Sequence, residues 1–264
     1  MFDFFLYPVS VILWFWHKVF GTLLNPDTGV VWALAIVFLV LTLRLALLRP
    51  ALGALRAGRR TQALAPQMQK IRERYGKDRR RMAQEIQKLH ADNDSSPFAG
   101  CLPMVIQLPV FLSLYWVLRG FTPAAQADGV FDRGAIRSFL NADLFGARLG
   151  SWLSQPGSEL AAYGTDHAHM IAVGVPLMLV AALATFLSMR ANLPRQTAAN
   201  PQAARVSRAM MYLAPAGMLV SGSFFPVPIG LLLYFLVSNV WTFGQQHVLT
   251  RIVDRELPGA GRRS

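Results

Sequence analysis

The chain has 264 residues, 53% of them hydrophobic and only 15% charged, far more apolar than a soluble domain of this size needs. The net charge of +12 would suggest nucleic acid in a soluble protein, but in a membrane protein it has to be assigned loop by loop, because basic loops stay cytoplasmic. A single cysteine, Cys101, excludes a disulfide framework and every multi-cysteine metal site, and no Cys near the start offers a lipid attachment point.

Residues 1–29 form an N-terminal segment whose apolar, aromatic part (2–24) carries Trp14, Trp16, His17 and Lys18 together and Pro8 near its start. It lacks the basic leading region of a signal peptide. Two readings stand: an amphipathic helix lying in the interface, where Trp and Tyr sit at headgroup level, and a sixth span. The interfacial helix is preferred.

Residues 30–48 (VVWALAIVFLVLTLRLALL) are the first predicted span. Arg44 lies inside it with no carboxylate nearby, at a cost of about 2.5–3.5 kcal/mol for an Arg near the centre of a membrane helix. That cost marks Arg44 as a functional residue. The alternative is snorkelling, since Arg44 stands four residues from the end of the run.

Residues 49–97 carry twelve Lys or Arg against five Asp or Glu, so they are assigned to the cytoplasm. Leu64, Met68, Ile71 and Tyr75 are spaced as one helical stripe, and Met82, Ile86 and Leu89 as another, with a Gly76–Lys77–Asp78 turn between them. Two stripes joined by a turn predict an antiparallel helical hairpin whose outer faces carry Arg72, Arg74, Arg79, Arg80, Arg81 and Lys88.

The second span is predicted at 98–118, with Gln107 between Pro103 and Pro109. Residues 119–168 hold four basic and five acidic residues, the near-neutral balance of a translocated extracytoplasmic loop. A third span follows at 169–189, then a cytoplasmic loop at 190–208 with four Arg and no acid. Residues 209–246 are too long for one span and are broken by Ser221–Gly222–Ser223 and Pro226–Val227–Pro228, so they predict the fourth and fifth spans. The tail at 247–264, with four Arg against two acids, completes a topology of five spans with the amino end outside and the carboxyl end cytoplasmic.

The predicted spans contain no Asp or Glu, which leaves nothing for an intramembrane proton relay. His169 and His247 fall at opposite membrane faces in this topology, and there is no Walker loop, dinucleotide fingerprint or zinc-protease motif. Neither a catalytic residue, nor a metal, nor a cofactor is expected. What the spans do contain is uncharged polarity: Tyr234, Ser238, Trp241 and Gln245 form one stripe of the last helix, with Asn239, Thr242 and Gln246 beside it. Gln107 stands in the second span, and Thr185 and Ser188 share a face of the third. Such groups are often only interhelical glue; together with Arg44 they suggest a hydrated groove within the bundle.

Four segments resemble the YidC-type membrane protein insertases, a family with mitochondrial and chloroplast relatives. They are LTLRLALLRPAL (41–52), QALAPQMQKIRERYGKD (62–78), SPFAGCLPMVIQLPVFLSLYWVL (96–118) and FPVPIGLLLYFLVSNVWTFGQQHVL (225–249). The resemblance covers nearly the whole chain. It implies a five-helix core around a hydrophilic groove, open to cytoplasm and lipid and closed to the outside, with Arg44 attracting the polar or acidic tail of an incoming protein. Phe235 stands where the family pattern has a second Tyr, so no hydroxyl contact carries over to that position. The chain is also expected to lack the large outside domain of some relatives and the lipoprotein cysteine of others, and its short basic tail leaves ribosome binding there open.

The combined expectation is an all-α polytopic protein of a bacterial plasma membrane. It would be a non-enzymatic insertase and chaperone with a groove of Arg44, Gln107, Thr185, Ser188, Tyr234, Ser238, Trp241 and Gln245. Its partners would be nascent integral membrane proteins and lipids, with a Sec translocon and a ribosome as candidates and no specific nucleic acid sequence. Two rivals are a small-solute anion transporter or channel, which predicts a through-pore or an internal repeat, and a structural membrane subunit, which would not need an unpaired intramembrane Arg.

Overall fold

The computed structural model describes residues 3–93, 102–122, 130–197 and 201–256. Parts of several expected segments lie outside these: the start of the second span with Cys101, residues 123–129 and 198–200, and the tail beyond 256. Among the described residues the chain is almost entirely helical, as expected for backbone that must satisfy its own hydrogen bonds in lipid. In order it forms α1 (Asp3–Gly21), α2 (Gly29–Ala46), α3 (Leu48–Ala63), α4 (Ala65–Tyr75), α5 (Arg79–Asp92), α6 (Leu102–Gly120), α7 (Arg133–Asn141), a ribbon of β1 (Asp143–Leu144) and β2 (Ala147–Arg148), α8 (Gly157–Ala162), α9 (His167–Thr197), α10 (Pro201–Phe224) and α11 (Ile229–Glu256). Two helices among the described residues, Gly29–Ala46 and the stretch His167–Ala191 of α9, are long and apolar enough to cross a membrane by length and composition.

The chain divides into two compact units, one of Met1–Ala46, Gln107–Thr185 and Ala214–Trp241, the other of Leu47–Ile106, Phe186–Leu213 and Thr242–Ser264. In the first, α1 packs on α2 through the buried Val9, Leu13 and His17, and Trp16 Nε1 donates to Thr42 Oγ1 at 2.9 Å. The other side of α1 leaves Phe4, Tyr7, Trp14 and Phe15 exposed. At the centre is Trp32, fully buried, edge-on to Phe121 and Phe139 and stacked on His17 at 3.9 Å. Its indole N–H donates to Ser138 Oγ (3.0 Å), which donates to the Pro26 carbonyl (3.1 Å), so the polar edge of this aromatic cluster is satisfied.

Residues 130–166, which composition marks only as near-neutral and Gly/Ser-containing, fold into an ordered cap on this core. Asp132 caps α7 by accepting from the Ala135 N–H at 2.7 Å, a contact worth about 1 kcal/mol in typical helices. The ribbon turns through Phe145 (φ 51°) and Gly146 (φ 85°). Gly29, at the start of α2, lies so close to β1 that a Cβ there would fall 1.8 Å from the Asp143 carbonyl oxygen. Arg148 ties the cap together, donating through Nε to the Tyr163 carbonyl at 2.6 Å and through Nη1 to the Asn141 carbonyl, and so satisfies carbonyls at the ends of α7 and α8. The cap in turn receives α11: the N–H groups of Ile229 and Gly230 donate to the carbonyls of Ser151 and Leu149, each at 2.9 Å. These are donors that a helix leaves without an internal partner.

The break between α10 and α11 falls at the Pro-Val-Pro signal, where Pro228 can begin a helix but cannot continue one. α10 begins earlier than hydropathy suggests, running through Arg205 and Arg208.

In the second unit, α4 and α5 pack together across the Gly-Lys-Asp turn, and Asp78 caps α5 by accepting from Arg81 N–H at 3.0 Å. Leu64, Ala65, Met68 and His90 are buried, while Arg74, Arg79, Arg80, Arg81 and Lys88 are exposed. A helix that the two stripes did not announce, α3, precedes them. Arg56 of α3 makes a two-pronged contact to Glu256 of α11, both distances 2.8 Å, and Arg59 pairs with Asp254. Phe186 and Tyr212 meet at 5.9 Å.

Candidate functional site

Arg44 stands in the last turn of α2, partly buried. Its Nη2 donates to the Ser238 carbonyl at 3.3 Å and to the Ser238 hydroxyl. No carboxylate lies within ion-pair distance of it among the described residues. The cation is therefore held by dipoles. A hydroxyl and a carbonyl orient a guanidinium without neutralising it, so its field remains available to another anion.

One turn before Ser238 on α11, Tyr234 is 2% exposed. Its hydroxyl accepts from Gln107 Nε2 of α6, and a hydrogen bond links it to the Ser238 side chain. Gln107, Tyr234, Ser238 and Arg44 thus form one connected line across α6, α11 and α2. The line is satisfiable: the phenol accepts from the amide and donates to the serine oxygen, which also accepts from the guanidinium. Spacing four residues apart on α11 brings Tyr234 and Ser238 onto one face; the fold supplies the two partners from other helices.

Phe235 packs against Phe111, their ring centroids 5.1 Å apart, so this position serves apolar packing. Thr185 belongs to the same unit as Arg44, but its hydroxyl donates to the Ala181 carbonyl of its own helix at 2.9 Å. Asn239 behaves similarly, donating to the Phe235 carbonyl at 2.8 Å. Trp241 lies three residues beyond Ser238 in the first unit, while Ser188, buried, and Gln245, half-buried, belong to the second. Of the eight residues singled out by sequence, hydrogen bonds directly join Arg44, Gln107, Tyr234 and Ser238.

One polar contact near the site carries no sequence signal of its own. The Trp16 indole bonds Thr42, two residues before Arg44, and Thr42 in turn donates to the Phe38 carbonyl at 2.7 Å. α1 is thereby pinned beside the last turn of α2. Trp16 stands out in the sequence as an interfacial aromatic, but nothing in its spacing names Thr42 as its partner.

The family model described as 60Kd inner membrane protein matches residues 23–256. The chain is 40% identical to the membrane protein insertase YidC of Mycobacterium tuberculosis (strain H37Rv), over 96% of this chain and 74% of that protein. It is 41% identical to the protein of the same name from Mycolicibacterium paratuberculosis, over 96% of this chain and 76% of the relative. The same-named protein of Mycobacterium leprae is 38% identical over 95% of this chain and 70% of its own length.

Proposed function

This chain belongs to the 60Kd inner membrane protein family, whose relatives here are named membrane protein insertase YidC, and we propose that it inserts integral membrane proteins and assists their folding. Membership and the apolar helices make it a bacterial inner-membrane protein. The proposed topology has five spans, with the amino end outside and the carboxyl end in the cytoplasm. The basic segment 49–97 is the cytoplasmic hairpin in this reading, and residues 119–168 are the extracytoplasmic loop.

The observation that carries the mechanism is the cation of Arg44, held by Ser238 without a carboxylate among the described residues. An acidic or polar substrate tail entering the membrane part-way meets a positive charge that does not have to be stripped from a counter-ion first. In a low-dielectric setting that attraction is stronger than in bulk water. Gln107 and Tyr234 extend the polar line, giving the tail hydrogen-bonding groups in place of water. The substrate's apolar helix then partitions into lipid, and its burial drives insertion. Substrates are nascent membrane proteins, with a Sec translocon and a ribosome as candidate partners in delivering them.

The direct test is reconstitution of the protein into vesicles with substrates whose translocated tails are acidic or neutral. Arg44→Ala should reduce insertion of the acidic-tailed set selectively. Equal insertion of both sets by the variant and the parent would remove Arg44 from the mechanism.

A further inference from the structure

Away from the Arg44 line, the first unit contains a cavity of about 130 Å³ lined by Arg119, Arg148, Trp152, Gln155, Glu159 and Tyr163. Arg148 is committed to the Tyr163 and Asn141 carbonyls, with Asp143 at 4.0 Å. Arg119 is not so committed. Its guanidinium lies over the Trp152 ring, 4.6 Å from the centroid, and among the described residues no carboxylate is within ion-pair distance. Glu159 accepts from Gln155 Nε2 at 3.1 Å but has no cation within ion-pair distance among the same residues. One cavity therefore presents a cation without an anion and an anion without a cation, too far apart to pair with each other.

The position of the cavity adds a second constraint. Trp116, one helical turn before Arg119 and on the same face of α6, is 57% exposed, and Leu108 is also exposed. An exposed apolar face ending in Trp and then Arg is the pattern of a membrane helix reaching the headgroup layer. We propose that this cavity binds the zwitterionic headgroup of a phospholipid with a primary ammonium, the phosphate on Arg119 and the ammonium on Glu159. The inference rests on α6 crossing the membrane as proposed above.

The chemistry selects among lipids. A guanidinium lying over an indole still has N–H groups to offer a phosphate, and the contact is charge-assisted. An ammonium group donates hydrogen bonds to Glu159, whereas a trimethylammonium has no N–H to donate. A glycerol headgroup has no cation at all. Phosphatidylethanolamine should therefore be held in preference to phosphatidylcholine and phosphatidylglycerol.

Native mass spectrometry of the whole protein, released from micelles containing equal dioleoyl phosphatidylethanolamine, phosphatidylcholine and phosphatidylglycerol, tests this. The parent should retain phosphatidylethanolamine about tenfold over phosphatidylcholine, the scale of one charge-assisted contact. Arg119→Gln should lower retention of all three lipids, which share the phosphate, and Glu159→Gln should bring phosphatidylethanolamine down to the phosphatidylcholine level. If Arg119→Gln does not fold, the exposed Glu159→Gln variant carries the test by the lipid ratio alone. Equal retention of the three lipids by the parent, or an unchanged ratio in Glu159→Gln, overturns the proposal. So does displacement of the lipid by millimolar inorganic phosphate, which would assign the cavity to a soluble anion. A Leu108→Cys variant, with Cys101 replaced by Ser, separates the two failures: a cysteine protected from a water-soluble maleimide, together with no headgroup selectivity, overturns only the lipid site, whereas a freely reacting one overturns the membrane placement of α6 and the lipid site with it.

Discussion

Arg44 in the last turn of α2 donates to both the hydroxyl and the carbonyl of Ser238 in α11, a relationship that spans 194 positions of sequence. Because both acceptors are neutral, the contact positions the guanidinium while leaving its charge in place. Substitutions at the two residues should therefore have different signatures.

At Arg44, Lys keeps the charge but loses the planar fork, Ala loses both and Glu reverses the charge. Insertion of acidic-tailed substrates, measured at equal membrane abundance, should fall in the order Lys, Ala, Glu, with Lys retaining much of the activity. Neutral-tailed substrates should be affected less. Abundance must be matched because removing an Arg from an apolar helix can raise stability as easily as lower it.

Ser238→Ala removes one acceptor but leaves the carbonyl, so the Arg44 side chain should lose orientation rather than charge. The expected result is partial loss of acidic-tail selectivity, weaker than in Arg44→Ala, with a double-mutant cycle giving a coupling of about 0.5–2 kcal/mol in thermal unfolding. Zero coupling would mean that the contact contributes nothing.

The Gln107–Tyr234 bond gives a matching pair. Tyr234→Phe should destabilise the protein by about 1–2 kcal/mol, because it leaves the Gln107 amide and Ser238 each short of a partner. Adding Gln107→Leu should restore part of that loss. Unfolding followed by tryptophan fluorescence would reveal the rescue or its absence.

Water access distinguishes a groove from a pore. Cysteines at Gln107, Thr185 and Ser238, introduced singly with Cys101 replaced by Ser, should react with an impermeant maleimide from the cytoplasmic side only. Labelling from the outside would favour an anion channel, and protection of all three in folded protein would reduce these residues to interhelical packing.

Gly29→Ala should be among the most damaging small substitutions in the first unit, since the added methyl meets the Asp143 carbonyl at 1.8 Å and either α2 or the ribbon must move. A loss of about 2 kcal/mol or more is expected, visible as a lowered Tm. Gly217→Ala, at a position with nothing within 4 Å of the new methyl, is the control and should be nearly neutral.

The clamp between α3 and the end of α11 should depend on pH. Its hydrogen bond from Arg56 holds the Glu256 carboxyl below its ordinary value of 4.5. A carboxyl whose folded value is depressed contributes stability that is present above the unfolded value and is lost as pH falls through the folded one. The stability difference between the parent and Arg56→Gln should thus be present at neutral pH and vanish below the folded value; a difference persisting there would assign it to packing.

Sequence by itself determined that this is a helical membrane protein and which family it belongs to. An apolar run such as Gly29–Ala46 can satisfy its backbone in lipid only as a helix, and motif order along one chain survives without knowledge of any contact. It also singled out Arg44, because an unpaired charge in such a run is improbable whatever surrounds it. Tertiary structure alone decided what holds that charge. Gln107, Tyr234, Ser238 and Arg44 come from three helices far apart in sequence, and no periodicity encodes which of several polar residues will meet. Thr185 and Ser188, three apart on one helical face, illustrate the limit: Thr185 spends its hydroxyl on its own helix, and the two fall in different units. The cap at 130–166 was equally hidden, because its order comes from Arg148 bridging two helix ends, Trp32 meeting Ser138 and Gly29 passing close to Asp143. Each of these is a shape match between distant segments, and composition averages such matches away.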